Sequence, residues 1–198
     1  MRPVEPVVLA GRGVLIEPLT LDHVEALTKV ARDGELWNLR ITSVPEPDAV
    51  EAYVRGAVEQ SDRLPFVVTD TNTDRVVGCT SYYAIDVPLS RIGIGYTWYG
   101  ASVQRTHVNT ATKLALMTHA FETLEAAVMV WHTDNFNYAS QRAIERLGAK
   151  LDGVLRRDKL RRDGTVRDTY WYSMLAGEWP ESKAQLEYLL RRRPTPQH

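Results

Sequence analysis

Between Ile92 and Thr133 the chain spells out a crossover. Ile92, Ile94, Tyr96 and Trp98 alternate with Gly93, Gly95, Thr97 and Tyr99, which is the period of a strand. Leu114, Met117, Phe121 and Leu124 then recur at spacings of three and four, so the next segment is a helix that buries one face. Residues 128–133 read as a second strand. A strand, a helix and a strand in this order imply a parallel return strand in one sheet, and few topologies can accommodate it.

The flanking segments fill in around that unit. Residues 14–18 read as a strand, and Asp22 opens a helix with Val24, Leu27 and Val30 on one side. Pro45 and Pro47 punctuate the chain, and Asp48 suits the cap of a helix to about Gln60, with Val50, Tyr53, Val54 and Val58 as its apolar side. Residues 66–69 and 76–83 are β-rich and joined by TDTNTDR, which has hairpin chemistry. Residues 137–147 form a helix that Gly148 closes in a left-handed cap. Residues 151–155 and 169–175 are strands separated by RRDKLRRDG. The last helix, from about Ser182 to Leu190, runs into Arg191, Arg192 and Arg193, and Pro194 stops it. The expectation is an α/β (α+β) chain of one domain over residues 1–198, with a core at about 10–180 and a C-terminal helix and tail at 181–198. Its sheet is mixed, mostly antiparallel, with helices on both faces.

The composition excludes several roles. The net charge of −1 gives no electrostatic reason for a nucleic-acid or membrane partner. Cys79 is the one cysteine, so no disulfide forms within the chain, and mid-strand it reads as a small core residue. The N-terminus MRPVEPVVLAGRG lacks a long apolar run, and no segment approaches the ~20 apolar residues of a membrane span. The expectation is a soluble cytoplasmic protein without a bound metal.

The start of the central helix is unusual. Gln104, Arg105, Thr106, His107, Val108, Asn109 and Thr110 crowd polar donors onto an end that already carries positive potential. Two readings fit. In one the segment is solvated loop, with Asn109 or Thr110 as a cap. In the other, successive main-chain N–H groups cradle phosphate oxygens, the Thr106 and Thr110 hydroxyls add donors, and Arg105, His107 and Lys113 add charge.

These residues also resemble a known family. The GNAT superfamily of acyl-CoA-dependent N-acetyltransferases carries a Gln/Arg-x-x-Gly-x-Gly/Ala loop at the start of a helix after its fourth strand. Gln104 matches, while His107 and Asn109 stand at the glycine positions. NYASQRAIERLGA, from Asn137 to Ala149, resembles the superfamily's Asn-x-x-Ser/Ala helix ending in Leu-Gly-Phe/Ala. With EPLTLDH, THAFETL and RRDGTVRDTYWYSMLAGEWP, the chain is similar to the branch of ribosomal-protein N-terminal (alanine/serine) acetyltransferases over about residues 10–180. The resemblance implies a GNAT-like sheet splayed between its fourth and fifth strands, 92–99 and 128–133, with CoA threaded through the gap.

It also implies roles for particular residues. Backbone groups of Thr97, Trp98 and Tyr99 would pair with the pantetheine arm, although Trp98 equally suits core packing. Asn137 would contact pantetheine and Ser140 would donate to the leaving sulfur, although either suits plain capping. Arg142 would reach CoA phosphates or stay solvated. Some members place a tyrosine acid seven residues after the Asn; here Ile144 stands there. His132 stands where several members carry a glutamate base, and its ordinary pKa of about 6.5 suits proton removal. Asp158 is a second candidate base, and a water relay a third route. The run from Arg156 to Asp163 reads as a solvated loop that would also attract an acidic acceptor or a CoA phosphate. The implied partners are a CoA thioester and an amine, either a protein N-terminus or a small molecule, with a homodimer open. A CoA-binding protein without turnover is the rival class.

Overall fold

The computed structural model of the protein describes residues 1–41 and 43–192. Eight strands form one sheet: β1 (Leu9–Gly11), β2 (Val14–Pro18), β3 (Arg63–Asp70), β4 (Arg75–Asp86), β5 (Arg91–Tyr99), β6 (Val128–Asp134), β7 (Lys150–Leu160) and β8 (Val166–Leu175). Their spatial order is β1-β2-β3-β4-β5-β6-β8-β7. Every neighbouring pair is antiparallel except β5 and β6, which are parallel. The helices are α1 (Val24–Arg32), α2 (Val50–Glu59), α3 (Val108–Thr118), α4 (Tyr138–Glu145) and α5 (Trp179–Arg192). This is the mixed, largely antiparallel sheet with flanking helices that the crossover demanded. Among the described residues no helix is long and apolar enough to cross a membrane.

Two apolar layers sandwich the sheet. On one face Leu116 and Met117 of α3, Ile144 of α4 and Leu186 of α5 pack against Ile16, Phe66, Tyr82, Ile92, Met129 and Tyr172. On the other, Leu27 and Ala31 of α1 and Val50, Val54 and Ala57 of α2 cover Val67, Cys79 and Trp98. Cys79 is fully buried, and burial pushes its thiol up to about 12, so it is an inert core residue.

Several boundaries differ from the sequence expectation, each for a local reason. β1 is only three residues long, too short to show a period. β7 runs on through Arg156–Leu160 because it is an edge strand whose residues are mostly exposed, so polar residues there do not mark a loop. Asp48 is not a cap: Pro47 starts a single 3-10 turn and Ala49 precedes α2. Val58 faces solvent, and Ala57 takes its place in the core. α5 begins earlier, because Trp179 stacks on Phe121 at 5.4 Å and donates to Glu122 Oε1 at 2.8 Å. Arg193 and Pro194, expected to end that helix, lie outside the described residues.

The most consequential difference lies in β5. Ile92 and Ile94 face α3, yet Trp98 packs under α1 and α2. The even-numbered side chains change faces because Tyr96 and Thr97 together oppose the single residue Thr80, between the pairs Ser81–Gly95 and Cys79–Trp98. This is a β-bulge, and one extra residue swaps every later side chain across the sheet. Tyr96 sits at φ 51°, a left-handed conformation that costs a bulky residue energy. Gly93 and Gly95 allow close approach beside it, since a Cβ at either would lie 2.7 Å from Tyr83 Cε1.

β5 and β6 pair only at Arg91–Val128, Ile92–Met129 and Gly93–Val130. Beyond Gly93 they part. The short strand pairing leaves a wedge that opens toward the C-terminal ends of both strands. The helices that follow them, α3 and α4, begin at that mouth.

Candidate active site

Divergence of two parallel strands creates what a sheet otherwise hides, two facing edges with unused N–H and C=O groups. Among the described residues, 94–99 of β5 pair only with β4 and 131–134 of β6 only with β8. An extended chain entering the wedge can add to these edges as a strand does. Such crevices outside the carboxyl ends of parallel strands are the usual ligand sites of open sheets.

The junction between β5 and α3 is held from outside. Asp33 Oδ2 accepts from Ser102 N at 3.0 Å and Ser102 Oγ at 2.6 Å, and Ala101 N donates to Asp33 O at 3.1 Å. Arg105 then takes φ 62°, turning the chain into α3. Within the seven-residue run the amides are not equivalent. Gln104 N donates to Ala101 O, Thr106 N to Val103 O and Val108 N to Thr106 Oγ1. Among the described residues, the amides of His107, Asn109 and Thr110 have no protein acceptor. Asn109 Oδ1 is also buried without a partner. The donor set is therefore narrower than the sequence run, and it sits where the dipole of α3 is positive.

The cations expected there part company. The His107 ring turns away toward Gly13 O at 3.4 Å, Asn72 Nδ2 at 3.3 Å and Asp70 Oδ1 at 3.7 Å. Lys113 points into the protein and donates to Thr97 Oγ1 at 2.7 Å and Thr80 Oγ1 at 3.3 Å, across the bulge. It is 6% exposed, and burial pushes its amine down to about 7. Arg105 and Gln104 stay at the surface. A cation that the sequence reading missed arrives instead: Arg146, just past α4, donates to Thr110 Oγ1 at 2.9 Å. Its one signal was a position one turn beyond Arg142, which is exposed.

On the β6 side, Asn137 is the N-cap of α4, its Oδ1 accepting from Ser140 N at 3.0 Å. The bland role of Asn137 is thus the one seen. Ser140 is half-buried, and among the described residues its hydroxyl has no partner. Asp134, at the end of β6, accepts from Arg161 Nε at 2.7 Å and its terminal nitrogen at 3.0 Å, both side chains being almost wholly buried. Ile144, at the position of the family's tyrosine, is core.

His132 lies on the sheet face away from α3, with Asp158 within electrostatic reach of it. The His132 ring lies 3.7 Å from that of Trp171, centroid to centroid, and its Nε2 is buried without a partner. Burial first, then the charge of Lys159, pushes its pKa down to about 4. At neutral pH the ring is uncharged and able to accept a hydrogen bond, but its conjugate acid is too strong to hold an amine's proton. Asp158 Oδ2 is likewise buried without a partner.

Residues 14–150 match the model of the acetyltransferase (GNAT) domain. An acetyltransferase candidate from T. thermophilus is 33% identical, with 94% of this chain and 98% of that one covered and a TM-score of 0.84. A GCN5-related N-acetyltransferase from Brucella melitensis is 29% identical over 96% of this chain and 88% of that one, also at TM-score 0.84. RimJ of Mycobacterium smegmatis, solved in complex with CoA-disulfide, shares the fold at 19% identity and TM-score 0.77, over 96% and 97% of the two chains. No curated protein matches the chain.

Proposed function

The chain belongs to the acetyltransferase (GNAT) family, and from that premise we propose that it moves an acetyl group from acetyl-CoA to a primary amine by direct attack in a ternary complex. The observation that carries this reading is the wedge with acceptor-free amides at its mouth. The residues suit CoA: His107, Asn109 and Thr110 offer unused N–H groups to a diphosphate, and Arg146 and Arg105 stand nearby. The unpaired edge of residues 94–99, with Thr97, Trp98 and Tyr99, offers main-chain partners to an extended pantetheine arm.

Bound acetyl-CoA supplies an activated thioester carbonyl. In this reading an N–H of β5 near the bulge at Tyr96 and Thr97 serves the carbonyl oxygen, where developing charge needs a donor. The free Ser140 hydroxyl donates to the leaving sulfur. Much of the acceleration comes from holding amine and thioester together, on the order of 7–11 kcal/mol in well-oriented cases, so no strong acid is required where Ile144 stands. With His132 held near pKa 4, the amine's proton passes through water to solvent.

The preferred acceptor is a protein N-terminus, as in the ribosomal-protein branch whose motifs the chain resembles; a small amine is the alternative. A CoA-binding protein without turnover is the second reading, favoured by Ile144 in the core and by the weak basicity of His132. Steady-state thiol release from acetyl-CoA over a panel of peptide and small amines separates them: turnover supports transfer, and calorimetric binding with no turnover on any amine supports the rival. Ser140→Ala is expected to lower kcat by about 10- to 100-fold. Its acetyl-CoA affinity should stay within about threefold of the parent's. An unchanged kcat removes Ser140 from the mechanism.

A further inference from the structure

The chemistry of the acceptor is written on the sheet face beside His132. Among the described residues, five buried side-chain polar atoms there lack partners: His132 Nε2, Asp158 Oδ2, Arg167 Nε, Thr169 Oγ1 and Trp171 Nε1. They come from three adjacent strands, β6, β8 and β7. Buried polar groups are rarely left unsatisfied, because each costs free energy unless something bonds to it. Thr169 is fully buried, so its lone hydroxyl does not simply meet solvent.

His132, Arg167, Thr169 and Trp171 share one face. Arg167, Thr169 and Trp171 alternate along β8, and Trp171 sits directly opposite His132 in the register. Lys159 pairs with Arg167, the register is irregular between Leu155 and Lys159, and Asp158 lies within electrostatic reach of His132. The face also connects to the wedge. The Tyr83 ring meets His132 edge-on at 5.5 Å, and Tyr96, the bulge residue of β5, meets Tyr83 at 5.6 Å.

The charges are uncommitted in an uneven way. Nearby loop charges are spoken for: Arg40 pairs with Asp163, Arg162 donates to Trp37 O and Val44 O, and Arg161 pairs with Asp134. Among the described residues, Asp158, Arg167 and Lys159 have no ion-pair partner. One carboxylate thus faces two cations, and Arg91, itself paired with Asp86, adds a third positive group to the surroundings of His132. A purely cationic amine would meet Asp158 but be repelled by the rest.

We propose that the acceptor is a primary amine carrying a carboxylate or phosphate close by, its amine at Asp158 and its anion at Arg167. This rests on the acetyltransfer reading and names the acceptor for that same site. The ammonium, held against Asp158, loses one proton through water to solvent. The neutral nitrogen forms its bond to the acyl carbon as the carbon–sulfur bond breaks. The second amine proton leaves with the thiolate, which departs as the thiol.

The test pairs amines that differ only in the anion: free α-amino acids against their amides, and peptides with an acidic residue next to the N-terminus against their neutral counterparts. Thiol release is expected to favour the anionic member by about tenfold or more in kcat/KM, the scale of one charge-assisted hydrogen bond. Arg167→Gln should abolish that preference, and Asp158→Asn should slow every amine, with acetyl-CoA affinity by calorimetry unchanged in both. A preference among amino acids identifies a small acceptor, and one confined to peptides a protein N-terminus. Equal rates within the pairs, or a preference that survives Arg167→Gln, overturn the proposal and leave acetyl transfer standing. No turnover of any amine by the parent protein, with acetyl-CoA bound, overturns both.

Discussion

Lys113→Met is expected to be more stable than the parent protein at pH 6–7, by about 1–4 kcal/mol. Few buried charges invite removal so plainly. Among the described residues Lys113 has no carboxylate partner, only the Thr97 and Thr80 hydroxyls, and methionine matches its length. The two hydroxyls stay satisfied without it, since they bond to each other at 2.7 Å. The sign follows from linkage. Burial lowers the folded-state pKa to about 7 from an ordinary value of 10.5, so between those limits the unfolded chain binds more protons. Parent stability therefore rises as pH climbs from 7 to 10.5, by roughly 5 kcal/mol as an upper bound, and the cost is felt in full below pH 7. In Lys113→Met that rise disappears. Urea unfolding at several pH values measures it, and a variant less stable than the parent at pH 6 contradicts the burial argument. Because Lys113 bonds the Thr97 and Thr80 hydroxyls while the pantetheine arm would use main-chain groups, acetyl-CoA affinity should change by less than about twofold.

The largest functional effect is expected from Asn109→Asp. It sets a carboxylate among the amides of His107, Asn109 and Thr110, beside the place of the diphosphate. At about 5 Å and an effective dielectric near 20, one added charge facing the nearer phosphate charge costs about 3 kcal/mol, so acetyl-CoA affinity should fall by at least about 100-fold. Asn109→Ala should lose less than about fivefold, since it leaves the main chain intact. A second readout guards against misfolding. An acid in the first turn of α3 favours the helix dipole, so the ligand-free variant should melt slightly higher than the parent. A higher melting temperature without ligand, together with a lost shift on adding acetyl-CoA, is the expected signature. Unchanged affinity in Asn109→Asp would remove this junction from the donor site.

The crossover was legible because its residues obey simple periods: two for β5, three and four for α3. The cap of α4 was legible because Asn137 and Ser140 have the right types three apart. Where sequence reading failed, the deciding contact was tertiary. The bulge at Tyr96 exists only against Thr80 of β4, so alternation alone placed Trp98 on the wrong face. His107 and Lys113 look like anion-binding cations in one dimension, but packing of α3 on β2, β4 and β5 turns both side chains away. Arg146 reaches Thr110 only because α4 lies beside α3. The charged half of β7 read as loop because an exposed edge strand carries no apolar period.

The central claim is that three particular main-chain groups hold the donor. Amide ¹⁵N–¹H spectra of the protein titrated with acetyl-CoA test it most directly. The account predicts large saturable shifts at His107, Asn109 and Thr110, and smaller ones at Gln104 and Thr106, whose N–H groups already serve Ala101 and Val103. Saturable binding that leaves those three amides unmoved, with the shifts gathered elsewhere on the fold, contradicts it.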